Sequence, residues 1–347
     1  MAQITLKDVA KQAGVSFKTV SRVINHEPNV AAKTSEKVKK AIAELNYVPN
    51  SAARNLSRGK AMAIGLVAGW PVNSPYTSTL IEQTLTESIA NGYNLALFSR
   101  EDGVSQKIVN AYLGKQVDGV ILDTNAADDQ DLINQINSLN VPSVVIHPNQ
   151  KNGLLHASYV QINNITAARQ AVDYLIEIGH RSIGFVCYKS GLNQEDERLS
   201  GYRLALTEAG IPYRNEWVYL GSGLPYKVGF TGAMHLASNH PELTAIAAGT
   251  DEIAMGTLGA IRQMGLRIPD DISVIGFDDI SYASMIIPPL TTIHQPIDEI
   301  ARIAVEQLIN VINDPCTEPI DIIMPTRLVV RDTCKSPRIQ PASLPVS

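Results

Sequence analysis

Cysteine occurs only three times in 347 residues, at Cys187, Cys316 and Cys334, an odd number too widely spaced to frame a disulfide scaffold. A reducing compartment, the cytoplasm, is the expectation. No run of about 18 apolar residues is present, so no membrane-spanning helix is predicted. Lys7, Asp8, Lys11, Lys18 and Arg22 interrupt the first 30 residues where a signal peptide needs an apolar stretch. Enzyme signatures are also missing: there is no GxxxxGK followed by Ser or Thr, and no GxGxxG, HExxH, CxxC or GxSxG. The GSG at Gly221 to Gly223 lacks its third glycine. The expectation is a protein without enzymatic activity, cofactor or bound metal.

Apolar material is ample: 45% of residues are hydrophobic and 18% charged, which gives a packed core in about two domains. The formal net charge of −5 argues at first against a polyanionic partner. Residues 1–60, however, hold 11 Lys/Arg against four Asp/Glu, a balance of +7, and the remainder holds 18 against 30, a balance of −12. A basic head on an acidic body assigns the two parts different tasks.

In the head, Leu6, Val9, Ala10 and Ala13 follow helical spacing behind Thr5, a suitable N-cap. Gly14 supplies the left-handed turn that stops this helix, and Val15 plugs the core below. Ser16 caps a second helix running to about Asn25, with Val20, Val23 and Ile24 inward and Phe17, Lys18, Ser21 and Arg22 outward. A third helix is predicted from about Thr34 to Leu45. The tight turn is what a helix-turn-helix needs to present a helix to the major groove, and Phe17, Lys18 and Arg22 on one exposed face favour that over a generic three-helix bundle.

From residue 61 onward, short β-like runs alternate with amphipathic helices. They start with Ala63 to Val67, then Leu80 to Ala90, and continue to Val144 to Ile146. The alternation restarts at a helix containing Ala168, Ala171 and Val172 and runs on through helix Arg198 to Ala209 to strand Val274 to Phe277. Two successive β/α series predict two doubly wound parallel sheets with the ligand cleft between them. The predicted class is therefore α plus α/β.

The run from Ile4 to Val67 resembles the N-terminus of a lactose-repressor-type (LacI/GalR) transcriptional regulator, most specifically in DVAKQAGVS, TVSRVIN and LNYVPNSAARNLSRG. The resemblance continues through GHRSIGF, ERLSGYRLAL, GFDDISYA and PPLTTIHQP. It implies base reading by Phe17, Lys18 and Arg22 and phosphate bonding by Thr5, Ser16, Thr19, Ser21, Asn25 and Thr34. It also implies a hinge helix over Asn50 to Ser57 that enters the minor groove with Ala53 and Arg54, and a Leu56 wedge between base steps.

The body then corresponds to a two-lobed effector-binding core like a periplasmic sugar-binding protein. The expected organisation is a helix-turn-helix at 1–48, hinge and linker at 49–60, and a core at 61–335 followed by a flexible tail at 336–347. The N-lobe comprises 61–162 and 294–322, the C-lobe 163–292 and 324–335. Crossings are expected near Gln161 to Asn163, Thr292 to Gln295 and Ile322 to Met324.

Arg198 and Asp278 match the pair that grips effector polar groups. Thr250, His147 and Leu224 stand where relatives commonly carry Asn or Ser, Asp or Asn, and an aromatic ring. Trp70 in the loop after the first strand, Tyr76 and Arg100 at strand ends facing the cleft, and Gln295 complete the candidate effector site. Pro337, Pro341 and Pro345 exclude the leucine-heptad tail that makes some relatives tetramers, so a homodimer is expected. The resulting reading is a repressor of a carbohydrate-use operon that binds pseudo-palindromic operator DNA and is controlled by a sugar. A solute-binding protein or sugar-modifying enzyme on the same core is the alternative.

Overall fold

The computed structural model describes residues 4–24, 30–47, 60–69, 74–99, 103–123, 130–148, 153–154, 156–189 and 193–337. The chain divides into two compact units, Met1–Met62 and Ala63–Ser347.

The first unit holds α1 (Leu6–Ala13), α2 (Phe17–Ile24) and α3 (Ala32–Glu44). Its N-terminal turn is a capping box: the Asp8 carboxylate accepts from the Thr5 backbone N–H at 2.8 Å and from the Thr5 hydroxyl at 2.7 Å, satisfying a donor the helix cannot pair. Gly14 ends α1 at φ 63°, ψ 36°, and the Val15 N–H returns to the Ala10 carbonyl at 3.1 Å. That left-handed conformation is why a glycine stands there. Each helix contributes one stripe to a small core of Val9, Ala10, Val20, Val23, Val38 and Ala41, closed by Tyr47. The third helix begins two residues before Thr34, so Thr34 lies inside its first turn.

The second unit contains two parallel sheets. The N-lobe sheet has β1 (Ala63–Ala68), β2 (Asn94–Ser99), β3 (Val120–Asp123), β4 (Ser143–Ile146), β5 (Ser158–Ile162) and β11 (Asp321–Met324), in the order β11-β5-β4-β3-β1-β2. Strand β1 is buried along its whole length, the sign of a sheet covered on both faces. The N-lobe helices are α4 (Pro75–Ala90), α5 (Val104–Leu113), α6 (Gln130–Leu139) and α11 (Ile297–Asn313). The sequence reading missed β5, β11 and α11. The short run Ser158 to Ile162 lies at a lobe crossing, and α11 returns to the N-lobe only after the C-lobe is complete, its Ile300, Ala304 and Leu308 fully buried.

The C-lobe sheet has β6 (Ile183–Tyr188), β7 (Val218–Gly221), β8 (Ala245–Ala248) and β9 (Ser273–Ile275), ordered β7-β6-β8-β9. Around it lie α7 (Asn164–Glu177), α8 (Asn193–Glu208), α9 (Pro225–Asn239) and α10 (Asp251–Gln263). Between the lobes, β10 (Thr292–His294) and β12 (Arg327–Val329) pair antiparallel. Strand β11 pairs with β5 through Met324, so the third crossing falls at Pro325 and Thr326 rather than within Ile322 to Met324.

Helices α9 and α10 cross at glycines. A Cβ on Gly229 would overlap the Ile253 carbonyl, and one on Gly256 would overlap the Tyr226 carbonyl. Gly229→Ala therefore forces the two helices apart over the C-lobe core. Thermal unfolding is expected to show destabilisation of about 1–3 kcal/mol, and an unchanged melting temperature would contradict this packing.

Candidate functional site

In the head, packing of Val20 and Val23 into the core turns the opposite face of α2 outward, leaving Phe17, Lys18 and Arg22 exposed and Ser21 half-buried. Phe17 keeps 53% of its surface in solvent, an unfavourable placement for a phenyl ring unless a partner covers it. Ser16 caps α2 by accepting the Thr19 N–H at 3.1 Å, and the Ser16 and Thr19 hydroxyls bond each other at 2.9 Å. Only one of those two protons is used between them, so the other remains for an external oxygen. Thr5 differs: its proton is given to Asp8, and a phosphate contact as donor requires that bond to break. Asn25, Ala53, Arg54 and Leu56 lie outside the described residues, as does the hinge segment Asn50 to Ser57.

In the body, Arg198 is the centre of a buried polar cluster. Helix α8 begins at Asn193 rather than at the predicted Arg198, which places Arg198 on its second turn, 8% exposed. Its Nε donates to Asn164 Oδ1 at 3.1 Å and its Nη1 to the Gly249 carbonyl at 2.6 Å. The Asp278 carboxylate lies 3.8 Å from the same Nη1, and the guanidinium carbon sits 3.9 Å above the Phe277 ring centroid. A guanidinium so enclosed is fixed in position by acceptors on several sides.

Asp278 lies beyond the end of β9, in a loop joined to the crossover strand: its N–H bonds the Ile293 carbonyl at 2.8 Å, and Gln295 Nε2 donates to its Oδ1 at 2.7 Å. Its backbone has φ 123° and that of Asp279 φ 60°, values rare outside glycine and typical of sites where side-chain placement overrides backbone preference. Burial pushes the Asp278 carboxyl up to about 6, although Arg198 and the Gln295 bond act in the opposite direction.

Beneath it Asp251, the first residue of α10, is fully buried. It accepts from the Ile280 N–H at 2.9 Å and the Thr292 hydroxyl at 2.6 Å. Burial and then the Asp278 carboxylate hold its own carboxyl well above the ordinary range. A Cβ on Gly276 would strike this carboxylate. Thr250 caps α10 by accepting the Ile253 N–H at 3.2 Å.

The N-lobe supplies the facing wall. His147 follows β4 at φ 51° and Tyr76 sits on the first turn of α4; their rings lie 6.1 Å apart. The helix starts at Pro75, five residues before the expected start at Leu80, so Tyr76 is a helical residue rather than a strand-end residue. Burial, followed by the Asp123 and Asp278 carboxylates, raises the Tyr76 phenol far above its usual value. Burial and then Arg198 lower the His147 imidazole to about 3, so it is neutral at physiological pH.

These through-space effects cross the cleft from one lobe to the other, and Ser74 donates a hydrogen bond to the partly buried Glu252 of α10. The lobes are thus closed on each other. Gln295 is 3% exposed and joins the cluster, while Leu224 does not: it is the N-cap of α9 and 69% exposed. Trp70 and Arg100 lie outside the described residues. A surface groove of about 740 Å³ between α7 and the crossover, lined in part by Arg169, Tyr174 and Leu328, contains none of these residues.

Sequence reasoning missed Asn164, Asp251 and Asp123. Asn164 and Asp251 act on other site residues through the fold. Asp123 ends β3 and accepts the Gly69 N–H at 3.0 Å; its place at a strand's carboxyl end was the signal available. Among the described residues, no group of three or more His, Cys, Asp or Glu is disposed to hold a metal, and no helix is long and apolar enough to cross a membrane.

The geometry defines a class of protein: a helix-turn-helix head joined to a two-lobed body with a polar cluster buried between its lobes. Residues 5–50 match the model of bacterial regulatory proteins of the lacI family, and residues 172–334 match that of a periplasmic binding protein-like domain. The chain is 36% identical over 331 residues to the HTH-type transcriptional repressor PurR of Yersinia pestis bv. Antiqua (strain Antiqua), covering 94% of this chain and 96% of that protein. Among solved structures, the lac repressor dimer bound to operator and the anti-inducer ONPF aligns with a TM-score of 0.84 at 29% identity, covering 96% of this chain and all of that one. The transcriptional regulator CelR–cellobiose complex aligns at 0.72 and 31%, covering 95% of this chain and all of that one. The chain belongs to the LacI family of bacterial regulatory proteins.

Two predictions come from the cluster. His147 takes its proton in the unfolded chain near 6.5 but in the folded one only near 3, so its contribution to stability is complete above pH 6.5 and is lost as pH falls. His147→Gln is expected to flatten the decline in unfolding free energy between pH 6.5 and 4, by at most about 1.4 kcal/mol per pH unit; parallel curves for the two proteins would refute it. Asp278 has the opposite sign: its raised carboxyl stabilises the fold below pH 4, and that contribution is lost as pH rises through about 6. Asp278→Asn should therefore shift the difference in melting temperature between variant and parent in the variant's favour as pH rises from 4 to 7.5. Parallel pH profiles for the two proteins are the contrary result.

Proposed function

We propose that this protein is a homodimeric, effector-controlled repressor of a carbohydrate-use operon, acting in the cytoplasm on pseudo-palindromic operator DNA, with no enzymatic activity. The observation that carries the reading is the combination, in one chain, of an exposed Phe17, Lys18 and Arg22 face on a helix-turn-helix with a cleft whose buried polar residues come from two lobes. A pure solute-binding protein has no use for the first.

Arg22 carries a fork donor suited to a guanine edge, while Lys18 and Phe17 set the neighbouring base contacts. Ser16, Thr19, Ser21 and Thr34, with Thr5 once it releases Asp8, bond phosphates. Lys33, Lys37, Lys39 and Lys40 on α3 add salt-dependent attraction. Asn25 continues the phosphate contacts, and Ala53, Arg54 and Leu56 enter the minor groove.

The effector contacts Arg198, Asp278, Gln295, His147 and Tyr76, with Trp70, Arg100 and Thr250 as further contacts. Leu224 is too exposed and too far out of the cluster to share in the buried contacts. Ligand binding shifts the balance between closed and open lobes by its differential affinity for the two, and thereby the spacing of the two heads. The cellobiose complex of CelR and the operator complex of the lac repressor support this assignment.

Homodimerisation is supported by apolar side chains left in solvent. Leu97 lies on the sheet-edge strand β2, and Leu85 and Ile89 on α4 beside it; Tyr226, Tyr282, Met285 and Ile287 are exposed on the C-lobe. A second copy covers such edges and patches, and the lac repressor structure is itself a dimer.

Mobility-shift titrations against pseudo-palindromic upstream sites test the reading. Arg22→Ala is expected to lose about 1–3 kcal/mol on the cognate site and to relax its sequence preference, whereas Lys37→Ala lowers affinity uniformly and reduces the salt slope. Equal losses by Arg22→Ala on cognate and random DNA would remove Arg22 from base reading.

A further inference from the structure

The groove beside the third crossing is bounded by both lobes. Helix α7 of the C-lobe forms one wall with Asp173, Tyr174 and Glu177; strand β11 of the N-lobe and the chain that follows it form the other with Ile323, Met324 and Leu328. Strand β11 is the outermost strand of its sheet and pairs, among the described residues, with β5 alone. The Ile320 carbonyl accepts the Tyr159 N–H at 2.7 Å, so backbone alternation turns the Ile322 groups toward β5 and the Ile323 N–H and carbonyl toward the free edge. Ile323 also keeps 60% of its surface in solvent. A free edge beside an exposed apolar side chain is a template for one more strand.

The chain carries a segment that reaches this edge. Pro337 packs at the C-terminal end of α7, where its ring lies 3.5 Å from the position of a Cβ on Gly179, and His180 Nε2 stands 2.9 Å from the Lys335 carbonyl. Residues 338–347 follow, outside the described residues. Ten extended residues span about 33 Å, whereas the 14 residues of α7 span only about 21 Å. A chain leaving Pro337 can therefore pass Glu177 and run the length of the groove. Asp173 is already paired with Arg169 at 3.1 Å, and Arg338 brings a cation to the Glu177 carboxylate at the near end.

The spacing of the prolines matches an edge strand. Successive residues of a strand direct their N–H and carbonyl groups to opposite edges. Pro337, Pro341 and Pro345 recur every four residues, so in extended form all three fall on one edge. Gln340, Ala342, Leu344 and Val346 then line the other edge with every donor intact. In the same conformation the side chains of Ala342, Leu344 and Val346 share one face and those of Ser343 and Ser347 the opposite one, the pattern of a half-buried strand. Prolines confined to the outer edge also stop further strands from adding.

We infer that residues 338–347 lie in this groove as an extended intramolecular strap, with their proline-free edge paired to β11 and their Ala342, Leu344 and Val346 face on Tyr174 and Leu328. The strap makes a short seventh strand of the N-lobe sheet and ties that sheet to the C-lobe helix.

Hydrogen–deuterium exchange of the full-length protein provides the test. Amides of the 338–347 segment are expected to exchange roughly tenfold more slowly than those of a synthetic peptide of the same sequence, independently of protein concentration. A stop codon after Pro337 should speed exchange at Ile323 by a similar factor. Ala342→Pro, which removes a donor from the bonding edge, should act like the truncation, whereas Ser343→Pro, on the outer edge, should leave both segments protected. Tail amides that exchange at the peptide's rate overturn the inference, as do Ala342→Pro and Ser343→Pro variants that behave alike. Protection that grows with protein concentration assigns the groove to the tail of another copy and overturns the intramolecular strap.

Discussion

A guanidinium removed from water must be surrounded by acceptors, and the surroundings of Arg198 organise the body of this protein. Its partners come from separate elements: Asn164 at the start of α7, Gly249 after β8, Asp278 in the loop after β9, and the Phe277 ring beneath. Leaving one such buried charge unmatched costs several kcal/mol, so these elements hold a common arrangement. Asp278 in turn is tied by Gln295 and its own N–H to the crossover strand. Asp278 therefore ties the buried cluster to the lobe boundary, and any displacement of Asp278 or Arg198 is felt at the crossover strand.

The same cluster shows a conflict between stability and use. Asp278 and Asp251 are neighbouring buried carboxyls, both raised, and Asp278 adopts a backbone conformation that non-glycine residues rarely take. His147 and Tyr76 hold unpaired polar atoms. None of this stabilises the unliganded chain, and the rest of the fold offsets it through fully buried sheets and the tight α9–α10 crossing. Departures from local preference concentrated at one place mark a functional site.

The head was legible almost residue by residue because its rules are local. A cap at Thr5, a left-handed glycine at Gly14 and a 3.6-residue stripe are all read within ten residues, and α1 starts and ends where they put it. The body was legible as a class, since alternating buried strands and amphipathic helices carry their own periods. Its errors fell where long-range pairing decides. Strand β5 is held by β4 on one side and by β11, some 160 residues later, on the other. The beginnings of α4 and α8 lie at Pro75 and Asn193, five residues upstream of the expected Leu80 and Arg198. Arg198 and Asp278 came from family resemblance, because a helix arginine and a strand-end aspartate have no distinctive local pattern. Asp251 and Asn164 stayed invisible because they act through other side chains, and no spacing rule joins Asp251 to Thr292 across 41 positions.

The three crossings between the lobes have one more consequence. Two are braced against each other by the β10–β12 pairing, and the third leads straight from β5 into the Asn163 cap of α7, which accepts the Thr166 N–H at 2.9 Å. Three short connections at one edge suppress twisting and sliding and leave opening about that edge as the soft motion. The state of the cleft is then close to a single number, an angle. A mutation anywhere along the edge that shifts its resting value resets the cleft without touching any residue that lines it.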